Sequence, residues 1–268
     1  MPRKSTPRTL VLSPTRIRIF RECEAQYRLE YIDRLGKIFH RPRAGFSFGT
    51  SLHRTLENFH AAGGAAHVTA EELDESLVRL WIPEGYTSQA EREQYWNEAR
   101  RIVADYHREA VERASVPGAP PEPTLLYTEK SLRFPIADGI ALSGRIDRVD
   151  QHHDGSLEIV DYKSGRTEVS EDDVRGSLAL NIYQLLLHRL HPDVRIKATL
   201  VALRTGARAS HELTPDERDA LEAECIDVGE RILAREWDSV VPEPCDHCPR
   251  CDFQPWCQRY WRRFGDGG

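Results

Sequence analysis

GRIDRVD at residues 144–150 and LEIVDYKSG at residues 157–165 are the segments that decide how this chain folds. In both segments apolar and polar residues alternate, which is typical of β-strands. Residues 153–156 between them read HDGS, and Asp and Gly favour a tight turn. We therefore expect the two strands to pair antiparallel and to bring Asp147 close to Asp161.

The second strand places Asp161 and Lys163 on one face, because side chains alternate with a period of two, while Tyr162 points the other way. Two carboxylates in one pocket repel each other unless a cation joins them, and their oxygens suit Mg²⁺ or Mn²⁺. A lysine beside such an ion can orient a water and stabilise charge on a phosphate. The alternative is a solvated strand pair with an ordinary Asp–Lys contact.

The composition is that of a globular protein and excludes collagen-like, disordered and membrane classes. The chain has 268 residues, of which 40% are hydrophobic and 30% charged, with a net charge of −6. No apolar run approaches the roughly 18 residues of a membrane span, and the start lacks the apolar segment of a signal peptide. We therefore expect a cytoplasmic location and no membrane partner. The acidic balance argues weakly against nucleic-acid binding but leaves a local basic path open.

The remaining pattern predicts an α/β or α+β protein with a helical N-terminal half, a mixed sheet and a cysteine-rich tail without a long element. Further strands are predicted over 124–134 and 196–203. Helices are predicted over Thr15–Ile32, Ser47–His60, Ala70–Trp81, Ser88–Ala114, Glu171–His191 and Thr214–Trp237.

Six cysteines are present, and disulfides are not expected in a reducing compartment. Cys225 fits a helix interior, and Cys23 stands alone near the N-terminus. The C-terminal spacing indicates a metal site, because zinc and iron–sulfur clusters both take four cysteines. The spacing alone leaves open which metal is bound and whether Cys23 takes part. The C-terminal cysteines are Cys245, Cys248, Cys251 and Cys257.

His53 and Glu57 lie four residues apart on the predicted second helix, so both can face one direction. A histidine there can complete a metal site. The alternative is a histidine at the surface or at the edge of the core.

Six segments follow one another in a specific order along the chain. They are SPTRIRIFRECEAQYRLEYI with Cys23, GTSLHRTLE with His53, GRIDRVD with Asp147, IVDYKSG with Asp161 and Lys163, IYQLLLHRL with Tyr183, and HCPRCDFQPWC. Together they resemble the iron–sulfur subgroup of the RecB-like PD-(D/E)xK nucleases. CRISPR adaptation exonucleases and the nuclease domains of bacterial recombination helicases belong to this subgroup.

The resemblance implies a restriction-endonuclease-like α/β fold, with a mixed central sheet flanked by helices, in a single domain over residues 1–268. A helical part would cover 13–115, the nuclease core 124–205, and an iron–sulfur tail 240–262 would close on Cys23. The resemblance also implies a [4Fe–4S] cluster bound by Cys23, Cys248, Cys251 and Cys257, and leaves Cys245 without a role.

The resemblance further assigns the catalytic residues. His53, Asp147 and Asp161, with the backbone carbonyl of Tyr162, would bind Mg²⁺ or Mn²⁺. Lys163 would complete the catalytic set of Asp147, Asp161 and Lys163 by positioning the attacking water.

Contacts to nucleic acid are expected from Tyr183, Gln184 and Arg145. Tyr183 matches the tyrosine of the family's Gln-x-x-x-Tyr helix, but Ala179 stands in the place of its glutamine, so Gln184 is the candidate to supply that contact. No helicase motif and no GxxxxGK[ST] phosphate loop occurs.

The function implied is a metal-dependent DNA nuclease, an exonuclease on single-stranded ends in repair or recombination. Its partners would be DNA and helicase, repair or CRISPR proteins. The alternatives are a CRISPR adaptation nuclease that trims prespacers, a non-catalytic DNA-binding subunit, and a zinc module. The preference for single strands rests on analogy, since a fold does not determine a substrate.

Overall fold

The computed structural model describes residues 9–118, 122–165 and 167–264. Residues 1–8, on which the prediction about a signal peptide depends, lie outside these ranges. The chain divides into two compact units. Unit 1 comprises the residues up to Arg41, 134–143 and those from Ala220 onward, and unit 2 comprises 42–133 and 144–219. The single domain over residues 1–268 stays a prediction.

The elements follow the predicted order. The strands are β1 (Leu10–Leu12), β2 (Thr124–Ala137), β3 (Ile140–Gln151), β4 (Leu157–Lys163), β5 (Ile196–Ala202) and β6 (Arg208–His211). The α-helices are α1 (Pro14–Glu22), α2 (Glu24–Tyr27), α3 (Gly36–Phe39), α4 (Ala44–Ala61), α5 (Ala70–Leu80), α6 (Gln89–Ser115), α7 (Glu171–Arg175), α8 (Leu178–Leu190), α9 (Pro215–Ala234) and α10 (Gln254–Phe264). A π-helical segment (Arg28–Ile32) follows α2.

The sheet of unit 2 is mixed, as predicted. β3 and β4 are antiparallel with Val149 opposite Ile159, β5 runs parallel to β4, and β6 runs antiparallel to β5. β2 pairs with β3. Residues 157–162 of β4 are all buried, which is typical of a strand covered on both faces.

Helices cover both faces of this sheet. α8 packs against β4 and β5. Apolar side chains of α4, α5 and α6 form one core with Val160 and Tyr162 of β4 and Val201 of β5. The predicted α/β fold with a central sheet flanked by helices is therefore confirmed.

Unit 1 contains the two ends of the chain. β1 runs parallel to the first residues of β3, with Val11 opposite Ala141. The indole of Trp237 stacks on Tyr27 with ring centroids 5.1 Å apart, and Phe253 is completely buried in a small apolar cluster with Leu29. Within the described ranges no helix has the length and apolar character needed to cross a membrane.

Some predicted elements differ in the structure. The helix predicted over Thr15–Ile32 is interrupted at Cys23, whose backbone is extended (φ −162°, ψ 108°), because the Cys23 sulfur accepts the Gln26 N–H and starts α2. The helix predicted over Glu171–His191 is two helices, since the Ser177 hydroxyl accepts the Leu180 N–H and starts a new one. The tail, expected to lack a long element, contains the eleven-residue helix α10.

Candidate active site

Asp147 and Asp161 face each other across the β3–β4 pair. The antiparallel register places Arg148 opposite Val160. One step further along the pair, Asp147 of β3 is therefore opposite Asp161 of β4. Burial raises the pKa of Asp161; the Lys163 ammonium opposes this shift, and the Asp147 carboxylate adds to it. The hairpin predicted from the turn at residues 153–156 therefore brings the two carboxylates together.

Lys163 contacts Asp161 directly. Its Nζ lies 2.5 Å from Asp161 Oδ2, as the period of two in a strand predicts. The Lys163 side chain is 38% exposed while that of Asp161 is 12% exposed, so the ammonium reaches from a buried carboxylate towards solvent.

His53 reaches the same carboxylates from α4. Its Nδ1 lies 3.0 Å from Asp147 Oδ2, and its Nε2 lies 2.8 Å from the carbonyl oxygen of Tyr162. Burial lowers the pKa of His53, but the hydrogen bond and charge of Asp147 outweigh it and the net shift is upward. Gly49 of the same helix lies close to the residues that follow β4, and a Cβ there would be 3.0 Å from Ser164 Oγ.

These groups fit a divalent cation chemically. The Oδ2 atoms of Asp147 and Asp161 are buried and accept no well-aligned hydrogen bond from the described residues, although His53 and Lys163 lie at ion-pair distance. The two carboxylates and the Tyr162 carbonyl supply the oxygen ligands that hard cations such as Mg²⁺ and Mn²⁺ prefer, and the His53 ring lies beside them. In the described ranges, no three side chains of His, Cys, Asp or Glu lie close enough together to hold a metal ion.

Residues 11–258 match the model of the PD-(D/E)XK nuclease superfamily. The chain belongs to the PD-(D/E)XK nuclease superfamily. It is therefore a metal-dependent nuclease, and members of this superfamily usually use Mg²⁺ or Mn²⁺. The RecB-like branch and the iron–sulfur subtype stay predictions.

No curated protein matches the chain. The solved structure titled "Crystal structure of SSO0001" is similar at 13% identity, with 78% of this chain and 84% of that chain covered and a TM-score of 0.34.

The three residues expected to contact nucleic acid lie in different environments. Tyr183 on α8 packs against Gly144, where a Cβ would lie 2.7 Å from the tyrosine ring. Burial, followed by the charges of Asp147 and Asp161, raises the pKa of Tyr183 to about 12, so its hydroxyl stays protonated beside the carboxylates. Gln184 is 0% exposed and its Oε1 accepts the Leu213 N–H, so the proposal that it contacts a substrate is corrected.

Arg145 lies at the wall of an open cleft of about 750 Å³ beside the carboxylates. It forms an ion pair with Glu129 of β2, whose φ of 48° is a left-handed conformation that few residues other than glycine adopt. Glu129 also lines the cleft, together with His53 and Glu57. No pattern in the sequence pointed to Glu129.

A buried polar network around Arg148 joins β3 and β4 to helix α4. Arg148 is 12% exposed, and its guanidinium contacts Asp150 at 2.5 Å, the Tyr162 hydroxyl at 3.1 Å and His60 Nε2 at 2.6 Å. Burial, and then the charge of Arg148, lower the pKa of His60 to about 2, so this ring is neutral and accepts from the guanidinium. Arg148 is thus a structural residue, in contrast to the exposed Arg145 on the same strand.

Replacing Arg148 with methionine will lower the free energy of unfolding by about 3–5 kcal/mol, because the buried Asp150 carboxylate then has no counter-charge. Chemical denaturation of both proteins measures the difference. Adding Asp150→Asn to Arg148→Met will restore part of the loss. Equal stability of wild type and Arg148→Met would contradict the role given to this pair.

The four cysteines predicted to bind a cluster all belong to unit 1. Burial raises the pKa of Cys257 to about 12, and the nearby thiols of Cys251, Cys23 and Cys248 add to the shift. The exposed Cys245 has its Sγ 3.6 Å from that of Cys248. Cys225 is 0% exposed within α9, which fits the helix-interior position expected for it.

Proposed function

We propose that this chain is a Mg²⁺- or Mn²⁺-dependent deoxyribonuclease of the RecB-like branch that degrades single-stranded DNA from its ends in repair or recombination. The observation that carries the proposal is a pair of contacts, His53 with Asp147 of β3 and Lys163 with Asp161 of the paired strand β4, in a chain of a nuclease superfamily.

The protein's own groups divide the work by their positions. His53, Asp147, Asp161 and the Tyr162 carbonyl would hold the cation, which when bound acidifies water and neutralises phosphate charge. The Lys163 ammonium extends from Asp161 towards solvent, where it can donate to the attacking water or to a phosphate oxygen. The Asp161 carboxylate keeps the ammonium in this place.

Two further residues would bind the strand. The Tyr183 hydroxyl, kept protonated beside the carboxylates, can donate a hydrogen bond to a phosphate oxygen. Arg145 at the cleft wall can exchange its ion pair with Glu129 for one with a phosphate.

We also propose that unit 1 binds a [4Fe–4S] cluster through Cys23, Cys248, Cys251 and Cys257. Cys23 lies at the break between α1 and α2, and Cys257 lies in α10, so a cluster would join the first and last helical segments of unit 1. The role of such a cluster would be structural.

Replacing Asp161 with asparagine will weaken Mn²⁺ binding by more than about 100-fold, since changes in groups that only support metal ligands already cost 10–100-fold. Titration of Mn²⁺ followed by electron paramagnetic resonance measures this affinity. Asp172→Asn is the control, because Asp172 is an exposed carboxylate on α7. Equal Mn²⁺ affinity of Asp161→Asn and wild type would overturn the assignment of the cation site.

A further inference from the structure

α4 exposes a phenylalanine beside the candidate active site. Phe46 is 75% exposed, more than any other large hydrophobic side chain in the described ranges. It lines the open cleft of about 750 Å³ that also contains His53. The cleft has a volume within the range of ligand pockets, roughly 300–1,000 Å³.

Arg54, eight residues or about two helical turns after Phe46 on α4, is an exposed cation in the same cleft. No described residue forms an ion pair with its guanidinium, whereas Arg145 is paired with Glu129 and Arg148 with Asp150. Because none of the described carboxylates pairs with Arg54, a phosphate can bind its guanidinium without displacing one of them.

The helix places these side chains in line with the catalytic groups. Phe46, Thr50 and Arg54 are spaced by four residues and lie on one face of α4, next to the row of Gly45, Gly49 and His53. At 1.5 Å of rise per residue, Phe46 lies about 10 Å along the axis from His53, and Arg54 is adjacent to it. Gly45 contributes no side chain to the cleft, so a strand can approach the helix there.

We propose that Phe46 and Arg54 form a subsite for an unpaired nucleotide of a single DNA strand, with the base stacked on Phe46 and a phosphate paired with Arg54. This subsite deepens the proposed nuclease function and rests on it. Both faces of a base inside a duplex are covered by its neighbours, so an isolated aromatic ring stacks on such a base only when it is unpaired. Such stacking tolerates every base, because each base has a π-face.

The first test measures binding of a labelled single-stranded oligonucleotide by fluorescence anisotropy, without added metal and in a Lys163→Ala background in which cleavage is slow. Adding Phe46→Ala will weaken binding by about five- to hundredfold, while Phe46→Trp will retain it. A blunt duplex of the same sequence will bind Phe46→Ala and its parent equally. Val78→Ala, which removes an exposed apolar side chain from α5, will have no effect.

The same subsite can be tested by changing the DNA instead of the protein. Removing one base from the strand, at successive positions, will weaken binding strongly at one position, and this loss will not add to that of Phe46→Ala. Replacing Arg54 with glutamine will reduce the slope of log Kd against log salt concentration by about one, as expected for the loss of one phosphate contact. Gly45→Leu, at a position where a Cβ meets no atom within 4 Å, will leave the thermal unfolding temperature unchanged or raised and will still weaken binding of the strand.

The outcomes separate the subsite from the nuclease function. If the wild type cleaves single strands and Phe46→Ala binds them as tightly as its parent, the subsite is wrong and the nuclease proposal stands. An equal loss of duplex and single-strand binding would also overturn the subsite, since it would show no preference for unpaired bases. If the wild type neither binds nor cleaves DNA, both proposals fail together.

Discussion

Lys163→Ala will cleave DNA about a thousandfold more slowly than the wild type in the presence of Mn²⁺. The reason is that the Lys163 ammonium, 2.5 Å from Asp161, is the cation closest to the buried carboxylate. Removing one group that stabilises developing charge at an active site costs about 10²–10³ in rate. The variant will still bind Mn²⁺, because every proposed ligand of the cation is kept. Initial rates on an end-labelled strand, with parallel Mn²⁺ titrations, measure both properties.

Lys197→Ala is the matched control for this experiment. Lys197 is 37% exposed and pairs with Glu158 at 3.3 Å, so it resembles Lys163 in exposure and in having a carboxylate partner on β4. It will cleave DNA at the rate of the wild type. If Lys163→Ala and Lys197→Ala cleave equally fast, Lys163 is an ordinary surface lysine and the catalytic assignment is wrong.

Cys251→Ser will lose the cluster proposed for unit 1. The wild type, purified without oxygen, is expected to absorb visible light and to contain about four irons per chain. The serine variant will be colourless, and it will unfold at a temperature lower by about 10 °C or more, because metal binding contributes to the folding free energy. Iron analysis, absorption spectra and thermal unfolding measure the three effects.

The other two cysteines of unit 1 serve as controls. Cys225→Ala changes a completely buried thiol in α9, and Cys245→Ser changes the exposed thiol next to Cys248. Both variants will keep iron and colour if Cys23, Cys248, Cys251 and Cys257 are the ligands. A wild type that is colourless and contains one zinc would remove the cluster proposal in favour of a zinc site.

The pairing of Asp147 with Asp161 could be predicted because it depends on local information. The alternation of apolar residues in two strands and one turn determines which residues face each other, and this holds in the register of β3 and β4. The break at Cys23 could not be predicted in this way, because the residues on both sides favour helix and a side-chain hydrogen bond to Gln26 decides the interruption.

The surroundings of several side chains are determined by tertiary structure. Gln184 lies on a helix whose sequence is apolar around most of its circumference, so the pattern did not show that the residue faces the backbone of Leu213. Glu129 lines the cleft with its backbone in the left-handed conformation inside a strand. Local sequence preferences disfavour this conformation, so the sequence did not predict it. Phe46 and Arg54 have ordinary helical positions, and their importance follows only from the cleft that they line.

The most direct test of the account is digestion of DNA labelled at one end, as a single strand and as a blunt duplex, by the wild-type protein with Mn²⁺ and with a chelator. We expect the single strand to be degraded in the presence of Mn²⁺, the duplex to be degraded more slowly, and both reactions to stop when the chelator removes the metal. Failure to cleave either DNA with Mn²⁺ or Mg²⁺, or cleavage that continues in the chelator, would contradict the account.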